Sequence, residues 1–441
     1  MRTFSVFAAT ITAAFTCYTL AIPTIVHPGD GDDLLTTSRN TINETISTKE
    51  SADAGRLFTA TSEQLKISVY NNFNSGSVKV YVTGLDSNGN IVLLTPNGTW
   101  YRPPESSSAM GPQKITEDIA IPIGAYGTAT PVTIPTHVSS GRVWVADGDL
   151  SFFTEVVGTG ILSLVQPSAV DPDDPSAAAN WGFVELTTDF SGITVNLSYV
   201  DFVGLPLGIE IQGSEGTQTT PGVAKNALSS ICNALAAQSS LDGQPWNELC
   251  MTDNRGNVLR VISPHNYIAL YPTAFDSYWT NYISQAWSTY EDTPLTVDTQ
   301  TSAGLVNCTV SSGILTCVGD NRGYPQPVAS DIFGCNSGPF QIEASDNAIH
   351  QAIVPRLCGA FNRSTLLLRG GNVQPRLGST HYYTISPTNY YSKFVHQHES
   401  LDTGYAFPYD DVTPDDEPNA SGLLSDPNPT LLTITIGGPT A

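Results

Sequence analysis

Basic side chains are scarce in this sequence: 18 Lys and Arg stand against 41 Asp and Glu, leaving a formal net charge of -23 on 441 residues. A surface of that sign repels phosphates, so nucleic acid and anionic membranes are excluded as partners while an uncharged ligand is not. Apolar runs long enough for a membrane span are missing after the first 21 residues. Also missing are the C-x-x-C or Cys/His spacings of a zinc site, the G-x-S-x-G turn of a serine hydrolase and, around Gly370-Gly371, the lysine of a phosphate loop. There is no internal repeat, and the ending LLTITIGGPTA offers neither the long Ser/Thr tract nor the anchor signal of a structural wall protein. No cofactor and no metal are expected.

What is present begins with Arg2, an apolar stretch from Phe4 to Leu20 and the triplet Thr19-Leu20-Ala21, the pattern of a secretory signal over residues 1–21. The expected localisation is extracellular, with no membrane attachment after cleavage. Cys17 leaves with the leader, and Cys232, Cys250, Cys308, Cys317, Cys335 and Cys358 remain, an even set suited to disulfides. One pair follows from local pattern: a Ser312-Gly313 turn pairs Ser311 with Ile314 and sets Cys308 directly opposite Cys317. The pairing of the other four is open. Sequons at Asn43, Asn97, Asn196, Asn307, Asn362 and Asn419 agree with a glycosylating route.

With 40% apolar residues the chain can bury a sizeable core. Residues 22–60, rich in Thr, Ser, Asp and Gly, read as a flexible linker or propeptide. From Leu65, alternating runs such as LKISVYNN, SVKVYVTGL and GRVWVAD, separated by turn residues, predict an antiparallel β-sandwich or barrel over 61–221. The period changes near Gly222. VAKNALSSICNALAAQ, AFDSYWTNYISQAWSTY and SDNAIHQAIVPRLCGAFNRS have helical spacing; in the second, Asp276 stands near the start and Phe275, Tyr278, Trp279, Tyr282, Ile283 and Trp287 share a face. Residues 222–375 are expected to form an inserted disulfide-rich, largely helical subdomain. THYYTISP, KFVHQH and LLTITIGG then predict closing strands of the first sheet over 376–441.

The stretch from Trp181 to Gly213 is the most informative. A Ser191-Gly192 loop would set Phe190 opposite Ile193 and pair Asp189 with Thr194, Thr187 with Asn196 and Glu185 with Ser198, the last three pairs making one face wholly polar. Val184, Leu186, Val195 and Leu197 then fall on an apolar one, a separation that a slip by one residue would destroy. Asp201 is set in the apolar run Tyr199-Val200-Asp201-Phe202-Val203, where desolvation is costly without a task or partner. By parity it points inward, and a β-bulge near Tyr199 or Val200 would turn it onto the face of Glu185. The two carboxyls would then be about 10 Å apart along the strand. Separations of roughly 6.5 to 9.5 Å suit an inverting glycosidase, and about 5 to 5.5 Å a retaining one. The alternative is a solvated Glu185 and a structural Asp201. His396 and His398 alternate on a predicted strand and lack a third ligand for a metal, while Asp320 with Arg322, and Arg356 with Arg363, read as ion pairs or cleft residues.

WGFVELTTDFSGITVNLSYVDFVGLPLGI, SSICNALAAQ, PWNELCMTDNRGNVLRVISP, SDIFGCNSGPF, RLCGAFNRSTLL and HQHESLDTGYAFPYDDV together resemble glycoside hydrolase family 64, β-1,3-glucanases on a thaumatin-like sandwich. The resemblance runs from about Leu65 to the C-terminus. It implies an inverting endo-hydrolase whose partner is β-1,3-glucan polysaccharide, with an acidic cleft between sandwich and helical subdomain; a monomer is expected. The Glu of the W-x-F-x-E-x-T stretch is Glu185 and resembles the general acid; the Asp of Y-V-D-F-V-G is Asp201 and resembles the base. Thr187 and Ser198 match sugar-binding positions. Trp181 either stacks on a pyranose or packs in the core, and Asp410 and Asp411 either line the cleft or form a surface turn. The competing function is a non-catalytic thaumatin-like protein that grips β-glucan; retention of both Glu185 and Asp201 favours the enzyme.

Overall fold

The computed structural model describes residues 64–439 apart from 105–110, 158–160, 402 and 418–419. The expected leader, the 22–60 segment and the sequons at Asn43 and Asn419 lie outside the described residues. Alternation decides the first strand: in Leu65–Asn71, Leu65, Ile67 and Val69 are buried while Lys66 and Tyr70 face out. It belongs to a five-stranded sheet in the order Gly216–Thr220, Leu207–Gly213, Leu431–Ile436, Leu65–Asn71 and Ala129–Ile134. LLTITIGG thus re-enters the first sheet as a strand, inserted between two others. Its pairing with Leu65–Asn71 is parallel, Ile67 opposite Leu432, which departs from the wholly antiparallel expectation.

A second sheet runs in the order Leu424–Asp426, Gly192–Leu197, Asn180–Asp189, Val138–Asp147, Val78–Leu85, Ile91–Leu94 and Trp100–Tyr101, with Ile121–Pro122 set against Val78–Leu85. The two sheets meet where Leu207–Gly213 packs on Asn180–Asp189 and Gly192–Leu197. Val184, Leu186, Val195 and Leu197 are buried there, the apolar face that their alternation requires.

The fold is mainly β, and the helices gather after Gly222: Ala227–Asp242, Pro264–Leu270, Thr280–Asp292, Ala329–Gly334, Ala348–Asn362 and Tyr390–His396. Small sheets interleave with them, one pairing Phe202–Val203 with Val258–Ile262, so the region is mixed rather than mostly helical. Three disulfides staple it: Cys232–Cys250, Cys335–Cys358 and the expected Cys308–Cys317. The last sits opposite in the ladder, with Ser311 facing Ile314 as the Ser312-Gly313 turn demands.

Two expected strands are not strands. KFVHQH lies largely in the helix Tyr390–His396, because Asn389 accepts a hydrogen bond from the Ser392 N–H as an N-cap and Tyr391 and Val395, four apart, bury together. THYYTISP holds only a 3₁₀ turn, Ser379–His381. The aromatic helix begins at Thr280 rather than near Asp276, since Phe275 takes a left-handed φ of 61° to bring its ring within 4.6 Å of Trp246.

Burial sorts the sequons. Asn97 and Asn307 are exposed, whereas Asn196 and Asn362 are 6% and 0% exposed and their amides donate inward. In protein made by a glycosylating host, glycopeptide mass spectrometry should find sugar on Asn97, Asn307 or both, and none on Asn196 or Asn362.

Candidate active site

Glu185 sits mid-strand in Asn180–Asp189, with Arg142 directly opposite on one neighbouring strand and Asn196 on the other. The three side chains form one cross-strand row. Arg142 donates to Glu185 Oε1 from Nε at 3.2 Å and Nη2 at 2.9 Å, and Asn196 Nδ2 donates to Oε2 at 3.2 Å. Arg142 in turn donates to Gln166 and lies 4.6 Å over the Phe183 ring. Glu185 is 4% exposed. Burial lifts its pKa above the ordinary glutamate value; Arg142 and Asn196 oppose that without cancelling it, and the charge of Asp201 adds to the rise.

The hairpin register differs from expectation by two residues. Its loop is Phe190-Ser191, so Asp189 faces Gly192, Thr187 faces Thr194 and Glu185 faces Asn196 rather than Ser198. An even shift leaves every side chain on its expected face. Gly192 decides it: its φ of 126° and its closeness to the next strand, where a Cβ would meet the Asp426 carbonyl oxygen at 2.1 Å, admit only glycine.

No bulge occurs at Tyr199 or Val200, and Asp201 reaches this region by another route. The strand ends at Leu197, where Ser198 bridges to Tyr405 and the Tyr199 N–H donates to the Tyr405 carbonyl at 2.7 Å. The chain bends through Val200 and Asp201. The Tyr199 carbonyl accepts from Tyr391 Oη at 2.5 Å, and the Asp201 carbonyl accepts from the Ser263 N–H at 2.8 Å and Asn266 Nδ2 at 3.0 Å. Gly204 lets the returning chain touch the Trp181 strand, for a Cβ there would lie 1.9 Å from the Trp181 carbonyl oxygen. Asp201 is left half-buried, its backbone held by the helical region while Glu185 is held by the sheet.

Thr187 and Ser198 are half-buried near Glu185. Trp181 does not line an open surface: it is 1% exposed, with Phe202 at 4.5 Å, Trp144 at 5.5 Å and the Arg260 guanidinium at 5.3 Å, so its ring packs in the core. Asp410 and Asp411 do not form an exposed surface turn, being 1% and 3% exposed. Asp410 accepts from Arg363 Nη2, His396 Nε2 and the Ala406 N–H at 2.8, 2.8 and 2.9 Å. His396 therefore stands between Asp410 and Glu399 on a helix, and does not alternate with His398 on a strand. Burial alone would lower its pKa, but the two carboxylates hold it well above the ordinary value. The Arg322 guanidinium pairs with Glu343 and Asp346, while its backbone N–H donates to Asp320, which is also hydrogen-bonded to His350; Arg363 pairs with Asp410, and Arg356 donates to Gln300 Oε1. Among the described residues no group of three or more His, Cys, Asp or Glu is arranged to hold a metal, and no helix is long and apolar enough to cross a membrane. Arg142, Gln166 and Asn266 were missed by sequence reasoning; the correct hairpin register would have set Asn196 opposite Glu185, whereas Arg142 comes from the separate pairing with Val138–Asp147, and nothing local marks Asn266.

Residues 63–436 match the family described as Beta-1,3-glucanase. Two curated relatives named glucan endo-1,3-beta-glucosidase are similar. The one from Cellulosimicrobium cellulans is 26% identical over 309 residues, 67% of this chain and 54% of its own length. The one from Arthrobacter sp. (strain YCWD3) is 27% identical over 323 residues, 70% and 56% respectively. The chain thus spans about half the length of the curated relatives it matches. Among solved structures, a laminaripentaose-producing β-1,3-glucanase in complex with laminaritetraose aligns with a TM-score of 0.73 at 26% identity, over 85% of this chain and 98% of that one. A β-1,3-glucanase domain from Clostridium beijerinckii shares the fold, with a TM-score of 0.66 at 20% identity over 86% and 100%.

Two outcomes follow from the charges. Arg142→Met should move the Glu185 titration, followed by NMR of the side-chain carboxyl, to higher pH. For His396, a raised folded pKa means stability fully present below about 6.5 and lost as pH rises through the folded value. Thermal melts of the parent should therefore weaken on the alkaline side, while His396→Gln, with Asp410 and Glu399 left buried, should lose roughly 3–5 kcal/mol near neutral pH and flatten that slope.

Proposed function

The chain belongs to glycoside hydrolase family 64, the β-1,3-glucanases, and from that premise we propose that it is a secreted, monomeric endo-β-1,3-glucanase acting with inversion, Glu185 as general acid and Asp201 as general base. The observation that carries this reading is the pair of unlike carboxyls: Glu185 buried with its pKa raised, and Asp201 half-exposed yet near enough for its charge to be felt at Glu185. The relatives' names and the laminaritetraose bound to the similar solved enzyme support β-1,3-glucan as substrate.

In the proposed step, the proton of Glu185 passes to the glycosidic oxygen as the C1–O bond breaks. Asp201 takes a proton from water, whose oxygen bonds to C1 from the opposite face, so a β-linkage gives an α-anomer. Arg142 then stabilises the carboxylate left on Glu185, and Asn266 is a positioning residue for Asp201 through its carbonyl. Thr187 and Ser198 donate to or accept from glucose hydroxyls. Three disulfides support secretion, and the two facing sheets support a thaumatin-like sandwich.

With linear β-1,3-glucan, NMR of the first products should show the α-anomer; β-anomer as first product removes the mechanism. Glu185→Gln and Asp201→Asn should each lower kcat by about 10²–10⁴-fold while glucan binding persists. Because Glu185 must be protonated, the alkaline fall of kcat/KM should track its raised pKa. Binding with no cleavage by the parent protein would leave the non-catalytic glucan-binding reading in its place.

A further inference from the structure

An open pocket of about 560 Å³ lies between the C-terminal end of the helix Ala227–Asp242 and the start of the helix Thr280–Asp292, bounded on one side by residues 385–387. No residue of the Glu185 and Asp201 site lines it. Its polar groups are almost all neutral. The amides of Gln244, Asn281 and Gln285 line it and make no side-chain hydrogen bond to the rest of the described chain. Asn281 and Gln285 are exposed and one helical turn apart, so they stand side by side. Tyr278 contributes a half-buried ring fixed in place, its hydroxyl donating to the Thr388 carbonyl at 2.7 Å and accepting from the Thr388 N–H at 3.0 Å.

The one carboxylate in the lining, Asp242, is already engaged. It accepts from Gln238 Nε2 at 2.8 Å, Trp246 Nε1 at 3.1 Å and the Gln244 N–H at 2.9 Å. With no Lys, Arg or His in the wall, an anion finds no counter-charge, and a metal finds no second acid. A wholly apolar ligand would strip water from three amides and return no hydrogen bond. A neutral polyhydroxylated molecule meets these conditions, because each hydroxyl both donates and accepts, as each amide does, while its carbon faces lie against a ring and aliphatic side chains. The volume falls within the roughly 300–1,000 Å³ of ligand sites, room for a short oligosaccharide.

We propose that this pocket is a second, non-catalytic site holding a short segment of neutral β-1,3-linked glucan, an inference that rests on the β-1,3-glucanase reading of the Glu185 site. Two points of attachment to one polymer raise the effective concentration of chain at the cleavage site without any new contact there. Insoluble polymer would gain from this and short soluble substrate would not.

The test uses the whole protein and two probes, retention on insoluble linear β-1,3-glucan and cleavage of soluble laminarihexaose. Asn281→Ala/Gln285→Ala, and separately Asn281→Trp to fill the pocket, should cut retention about tenfold or more and leave laminarihexaose cleavage within twofold, with unchanged melting temperature. Retention equal to the parent in both variants overturns the proposal. So does a loss of retention on cellulose, rather than on β-1,3-glucan, in the same variants, because the site would then read another linkage. A parent that binds but never cleaves refutes the catalytic reading separately, and the retention assay still decides the pocket.

Discussion

Side chains alternate along a strand, so the place of Glu185 on one face of its sheet is decided by the register of three strands at once. That register sets Arg142 and Asn196 on either side of the carboxyl and leaves Val184 and Leu186 to fill the space between the sheets. The core and the site are thus alternate residues of one strand. A slip by one position would bury the acid between the sheets and turn valine and leucine outward, so the apolar packing that makes the fold also keeps Glu185 beside Arg142 and Asn196.

The second carboxyl is governed differently. Asp201 follows the end of a strand, and its bend is fixed by hydrogen bonds from segments remote in sequence: Tyr391, Tyr405, Ser263 and Asn266. Behind it, Asp410 gathers the Arg363 guanidinium, the His396 imidazole and the Ala406 N–H, tying the segment around Tyr405 to the helices. Asp410 of the YAFPYDDV stretch thus helps to hold the strip that holds the Asp201 bend.

What the sequence disclosed follows the range of the forces involved. Alternation, helical spacing and a two-residue turn are local, and they gave the strands from Leu65 to Asp189, the helices around Ile231 and Ile353, and the Cys308–Cys317 bridge. The faces of the Glu185 hairpin were legible because parity survives a shift of two. Its register was not, because the choice of loop turned on contact between Gly192 and the distant Asp426. Burial of charge was likewise hidden: Asp410, Asp411 and Asp426 sit in a run of acids that resembles a solvated surface, yet all three are buried against partners far along the chain. The six-residue run KFVHQH failed for a related reason, since its cap, Asn389, lies outside it.

The strand Leu431–Ile436 lies inside its sheet, parallel to Leu65–Asn71 on one side and antiparallel to Leu207–Gly213 on the other. Synthesis runs in one direction, so those two strands emerge from the ribosome long before the segment that must join them. Until it arrives each carries an open edge, a template for pairing with other chains. The five-stranded sheet can therefore close only after its last strand in sequence has been made, and its two halves are joined late.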